Sequence, residues 1–120
     1  MRSTAILFTA LALASLGMAQ TAQTKSPAPA GDAAKGKKLF EADGCYQCHD
    51  HDAKGGAGAR LAPNPVAFAV FSRYVRKPAG EMPPYTAKVV SDQELADIYA
   101  FLQTIPVPPA AKSIPILNNK

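Results

Sequence analysis

CYQCHD, residues 45–50, holds both cysteines of a 120-residue chain and one of its two histidines. How this stretch is read decides what the rest of the chain folds around. A disulfide between Cys45 and Cys48 would close a very small loop and add little, because the entropic gain grows with loop length. A redox dithiol of this spacing ordinarily sits beside a βαβ unit, and no segment here sustains the period-two alternation of a strand. A structural zinc ion wants four protein ligands around a tetrahedron. The only candidates are Cys45, Cys48, His49 and His51, too close along the chain to surround an ion.

Upstream of this stretch the chain carries an export signal. Arg2 gives a short positive start, Ala5 to Leu16 form an apolar run of 12 residues without a charge, and Gly17-Met18-Ala19 offers small residues to a peptidase. Residues 1–19 read as a signal peptide cleaved after Ala19; the run is too short for a membrane anchor, which needs roughly 20 apolar residues. An exported, periplasmic protein is the expectation. Residues 20–30, QTAQTKSPAPA, read as a flexible linker. Residues 106–120 carry four prolines and a polar end, a tail expected to lie on the surface or fray. About 75 residues, 31–105, remain as one packed domain, and a unit that small usually recruits a disulfide, metal or cofactor to complete its core. Tryptophan is absent, so one large core filler is missing.

Three main helices are predicted in that unit. The first spans about Asp32 to Ala42, with Ala33, Gly36, Leu39 and Phe40 on one side. Gly36 costs about 1 kcal/mol against alanine in a helix, which is best explained by a second helix crossing closely there. The next helix is expected to begin at Asn64-Pro65, a capping residue followed by proline at the first helical position, and to stop before Pro78. Val66, Val70, Phe71, Tyr74 and Val75 form its apolar stripe, and Arg73, Arg76 and Lys77 crowd its last turn, where cations suit the helix dipole. The last starts at Ser91 with Glu94 three residues on, a capping box, and presents Leu95, Ile98, Tyr99 and Leu102 to a core. The fold class is all-α with little or no sheet.

The remaining reading of residues 45–49 is Cys-x-x-Cys-His, the attachment pattern of a c-type haem. Cysteines three apart lie on one side of a helical turn, so both sulfurs can bond the vinyl groups of one porphyrin. His49 is then carried beneath the iron as its proximal ligand. Met1 and Met18 leave with the signal, so Met82 is the one methionine of the mature chain. It sits in GEMPPY, where Pro83 and Pro84 stiffen a loop suited to presenting a soft thioether to the metal. His51, two residues from His49, cannot reach the opposite face of the same ring.

These features together resemble a class I c-type cytochrome, a small mono-haem bacterial cytochrome c, over most of residues 31–105. GDAAKGKKLFEADGCYQCHD is similar to the family's first helix and haem motif, and SDQELADIYAFLQTIP to its last helix, with Phe101 at the usual aromatic position. The resemblance implies three helices around one covalently attached haem c, Cys45 and Cys48 as its anchors, His49 and Met82 as axial ligands, and Leu61 against the ring. It also implies that the first and last helices cross at Gly36 and Phe40. The family usually has Gly-Pro before that leucine, the proline carbonyl bonding the proximal histidine. Here the run reads Gly58-Ala59-Arg60-Leu61, and the Ala59 carbonyl stands in that place. Arg60 and Tyr85 first, then Tyr74 and Arg73, are candidates for the haem propionates, each with an alternative role at the surface or core edge.

Removing Arg2 leaves 12 basic and 9 acidic side chains, a charge of +3 without the basic runs interleaved with aromatics that nucleic-acid binding needs. Between Lys54 and Lys88 the only acid is Glu81, among Arg60, Arg73, Arg76 and Lys77. A basic face of this kind suits docking to an acidic redox partner, the alternative being a solvated surface with no partner. The expectation is a soluble, monomeric periplasmic electron carrier between a dehydrogenase and an oxidase or other acceptor, not an enzyme, with neither nucleic acid nor membrane as partner. The alternatives are a carbon monoxide or nitric oxide sensor with a displaceable Met82, and a permanent cytochrome subunit of a dehydrogenase.

Overall fold

In the computed structural model, residues 27–117 are described. Four α-helices follow in order: α1 (Ala33–Ala42), α2 (Tyr46–His49), α3 (Phe68–Arg76) and α4 (Asp92–Thr104). There is no strand among the described residues, so the chain is all-α as expected. The predicted signal, residues 1–19, and the first part of the linker lie outside the described residues. Residues 27–30 have no regular structure, although Ala28 packs against the core. In the tail two 3-10 turns form, Ala111–Ser113 and Pro115–Leu117, with Ile116 and Leu117 exposed.

The outer helices begin where the sequence provides caps. Asp32 accepts from the amides of Ala34 at 2.8 Å and Lys35 at 3.0 Å, starting α1. Ser91 and Glu94 exchange side-chain and backbone bonds at the start of α4, a complete capping box. α1 and α4 then cross at Gly36, where a Cβ would run into the carbonyl of Asp97. Glycine is therefore required by the closeness of the two backbones. Phe40 and Phe101 meet beside the crossing with ring centroids 5.5 Å apart. Asp97, itself buried, accepts from the Asp32 amide at 2.9 Å and Gln93 Nε2 at 3.0 Å and pairs with Lys35 at 3.2 Å. These donors, the Asp32 amide foremost, hold its carboxyl below the usual carboxylate range.

α3 departs from expectation. Asn64 has φ of 60°, so it cannot open a right-handed helix, and the helix begins at Phe68 after an extended Ala67. The reason lies in a distant residue: the Tyr99 hydroxyl donates to the Val66 carbonyl at 2.8 Å and holds this segment against α4. Phe68 and Phe71 then close on the Tyr99 ring, at 5.2 and 5.4 Å between centroids. α3 stops at Arg76 because Lys77 precedes Pro78 and takes an extended φ of −142°.

Candidate functional site

A cavity of about 290 Å³ lies among α2, the segment after it, α3 and the 77–91 loop. Its wall is almost wholly apolar, including Leu61, Val70, Phe71 and Ile98. Cys45, His49 and Met82 open onto it, bringing a thiol, an imidazole and a thioether to one space from two distant stretches of chain. Val66, Val70 and Tyr74, part of the stripe read from the sequence, line this cavity yet are 58%, 44% and 48% exposed. Large apolar side chains grouped in this way call for an apolar occupant, and the soft and imidazole donors among them suit a haem. The residues present fit that group.

His49 sits at the end of the single turn α2, buried, and its Nδ1 lies 2.7 Å from the Ala59 carbonyl. A carbonyl can only accept, so Nδ1–H is the donor and the Nε2 lone pair is free for a metal. The 55–60 segment is folded back to reach this point. Gly58 N–H donates to the Cys48 carbonyl at 2.8 Å, and Gly55 N–H to that of His49 at 3.0 Å. A Cβ on Gly58 would stand 2.9 Å from His49 Cε1 and 3.0 Å from Nδ1, so only glycine lets the chain pass so near the ring. The amides of Leu61 and Ala62 both donate to the buried Ala53 carbonyl at 2.9 Å, which fixes Leu61 at the cavity wall.

The two cysteines are free thiols, Cys45 half-buried and Cys48 exposed, so no disulfide forms. Burial, reinforced by the Asp43 charge, pushes the Cys45 thiol up to about 11. Among the described residues no three His, Cys, Asp or Glu side chains converge as a metal site. His51 faces away: it pairs with Glu41 at 2.9 Å and stacks on Tyr46 at 4.6 Å.

Residues 31–102 match the family model described as cytochrome c oxidase, cbb3-type, subunit III. The chain belongs to this cytochrome c family. No curated protein and no solved structure matches it. A class I c-type cytochrome carries covalently bound haem c, transfers electrons and works with redox partners, and Cys45 and Cys48 stand in its Cys-x-x-Cys-His pattern.

The remaining candidates of this cytochrome c domain divide by where their polar ends go. Tyr85 lines the cavity with its ring, but its hydroxyl donates to the Asp43 carbonyl at 2.9 Å, and burial pushes its phenol up. Tyr74 also lines it, its hydroxyl donating to the Ala79 carbonyl at 3.2 Å. Arg60 is on the wall and largely exposed, and Arg73 is exposed on α3. Of the α4 stripe, Leu95 and Ile98 line the cavity, whereas Leu102 is fully buried and is not on its wall. Two residues were missed by the sequence reading: Ala53 and Gly58, which shape the turn under His49. Only Gly58 had a signal, its place before the carbonyl expected to bond the histidine.

Proposed function

We propose that this chain is an exported, periplasmic carrier of single electrons whose haem is fastened by Cys45 and Cys48 and ligated axially by His49 and Met82. The observation that carries the reading is the 2.7 Å bond from His49 Nδ1 to the Ala59 carbonyl, with Met82 on the wall of the same cavity. That bond fixes the tautomer, turns the imidazole and raises its basicity. Haem, when bound, would supply an iron that takes up one electron on becoming ferrous and gives it up on returning to the ferric state. The Met82 thioether favours the ferrous state, and the apolar wall pushes the same way by disfavouring the form with more net charge.

The wall's titratable groups favour carrying over catalysis. His49, Tyr74 and Tyr85 are committed to backbone carbonyls, and Cys45 to the ring. Exposed Arg60, Arg73, Lys77 and Lys88 have no ion-pair partner among the described residues, which leaves them to attract an acidic partner in brief encounters. Membership of the cytochrome c oxidase, cbb3-type, subunit III family supports an acceptor of the oxidase class. Export rests on the leader at residues 1–19, and the protein is read as a monomer.

Met82→Ala is expected to keep its covalent haem and to show a lower reduction potential than the wild type. The check is a potentiometric titration followed by absorption spectra of both oxidation states. An unchanged potential and ferric spectrum would remove Met82 from the mechanism.

A further inference from the structure

Arg76 ends α3, and its guanidinium gathers three points of the chain that follows. Nη1 donates to the carbonyls of Tyr85 at 2.9 Å and Val90 at 2.7 Å, and Nη2 donates to Asp92 Oδ1 at 2.7 Å. The Tyr85 amide returns to the Val75 carbonyl at 3.0 Å, and the Tyr85 hydroxyl reaches the Asp43 carbonyl at 2.9 Å. Between these ties the 77–91 segment has no regular structure. Met82 therefore stands in a loop whose base is closed by Arg76 and Tyr85, and Pro83 and Pro84 join it stiffly to that base.

We propose that Arg76 is the positioning residue for the Met82 thioether, holding the loop closed so that the sulfur stays at the iron and outside ligands are kept from it. The proposal rests on the reading of Met82 as axial ligand. A loop held in its bound shape loses little freedom when its sulfur binds, and an unclosed one would lose much more. The planar fork is suited to this task because two nitrogens of one rigid group reach two carbonyls and a carboxylate, whereas an ammonium has its three donors on a single nitrogen at the end of a flexible stem. The carbonyl bonds carry the effect: Arg76 is only 23% exposed, whereas Asp92 is 90% exposed and its pair is screened by water.

Imidazole binding to the ferric holoprotein tests this in a double-mutant cycle of wild type, Arg76→Ala, Met82→Ala and the double variant. Losing two charge-assisted bonds is expected to raise imidazole affinity at least about tenfold in Arg76→Ala, with covalent haem and helix content unchanged. In the Met82→Ala background the same substitution is expected to change nothing, since no sulfur is left to position. Asp92→Asn is expected to shift the affinity by less than about twofold. Wild-type affinity in Arg76→Ala overturns the proposal, as does an equal rise in both backgrounds. Met82→Ala leaving the imidazole affinity and the ferric spectrum unchanged instead overturns the ligand assignment beneath it. Should Arg76→Ala fail to accumulate as a haem protein, Arg76→Lys carries the same cycle, and full wild-type affinity there overturns the proposal.

Discussion

Replacing Gly36 by alanine sets two effects of opposite sign against each other. Helix propensity alone favours alanine by about 1 kcal/mol in a helix interior, so an α1 that merely tolerated its glycine would be stabilised. The crossing argues the reverse. A Cβ at residue 36 would overlap the Asp97 carbonyl and press on the Ile98 amide, both backbone atoms in the middle of α4 that cannot rotate aside. The helices must then part, at about 1–3 kcal/mol or somewhat more for overpacking. Parting also loosens the Phe40–Phe101 pair, worth about 0.5–1.5 kcal/mol beyond its burial. The net expectation is a loss of about 2 kcal/mol, and in a domain of about 75 residues that is a fall in Tm of about 8–16 °C. Thermal unfolding of the haem-loaded protein, followed by far-ultraviolet circular dichroism, reads it directly. A Tm equal to or above that of the wild type would falsify the close crossing as the reason for this glycine.

Two further substitutions probe separate parts of the structure. Asp97→Asn is expected to cost about 1.5–3 kcal/mol at neutral pH, because a charged acceptor of three donors is lost. Since the Asp97 carboxyl lies lower in the folded state than its ordinary value of 3.8, its stabilisation is present above that value and disappears as pH falls through the folded one. Denaturant unfolding across acid pH should therefore show a wild-type decline that the variant lacks; parallel curves would contradict the assignment. Gly58→Ala is expected to push the 55–60 segment off His49, weaken the bond to the Ala59 carbonyl and make the imidazole a poorer donor to the metal. Its reduction potential should rise, opposite in sign to Met82→Ala, and a fall would argue against that bond.

What could be read from the sequence was what is local along the chain. The capping box at Ser91 and the Cys-x-x-Cys-His pattern each lie within one or two turns, and the all-α class followed from helical spacing of apolar residues with no period-two alternation. Gly36 was legible because a poor helix former in a good helix needs a reason. The start of α3 was misread for the converse cause: Asn64-Pro65 has the chemistry of a helix start, but Asn64 takes a φ of 60° and a hydroxyl 33 positions away ties down the Val66 carbonyl. Arg76 looked like a cation placed for the helix dipole, since nothing nearby announces partners 9, 14 and 16 residues ahead. Leu102 shares a stripe with Leu95 and Ile98, yet α4 serves two neighbours, and periodicity cannot say which residue faces which.

The pairing of α1 with α4 joins the two ends of the packed unit, and this governs the order in which the protein can be built. Contacts this distant in sequence form only after a long closure, so a chain emerging from its amino end has nothing to fold against until α4 arrives. Cys45 and Cys48 therefore precede in the chain the helix that closes the packed unit, which leaves them accessible to attachment of the ring before α1 and α4 meet. A chain cut short before residue 92 would carry its attachment motif intact but leave α1 without the helix it packs against.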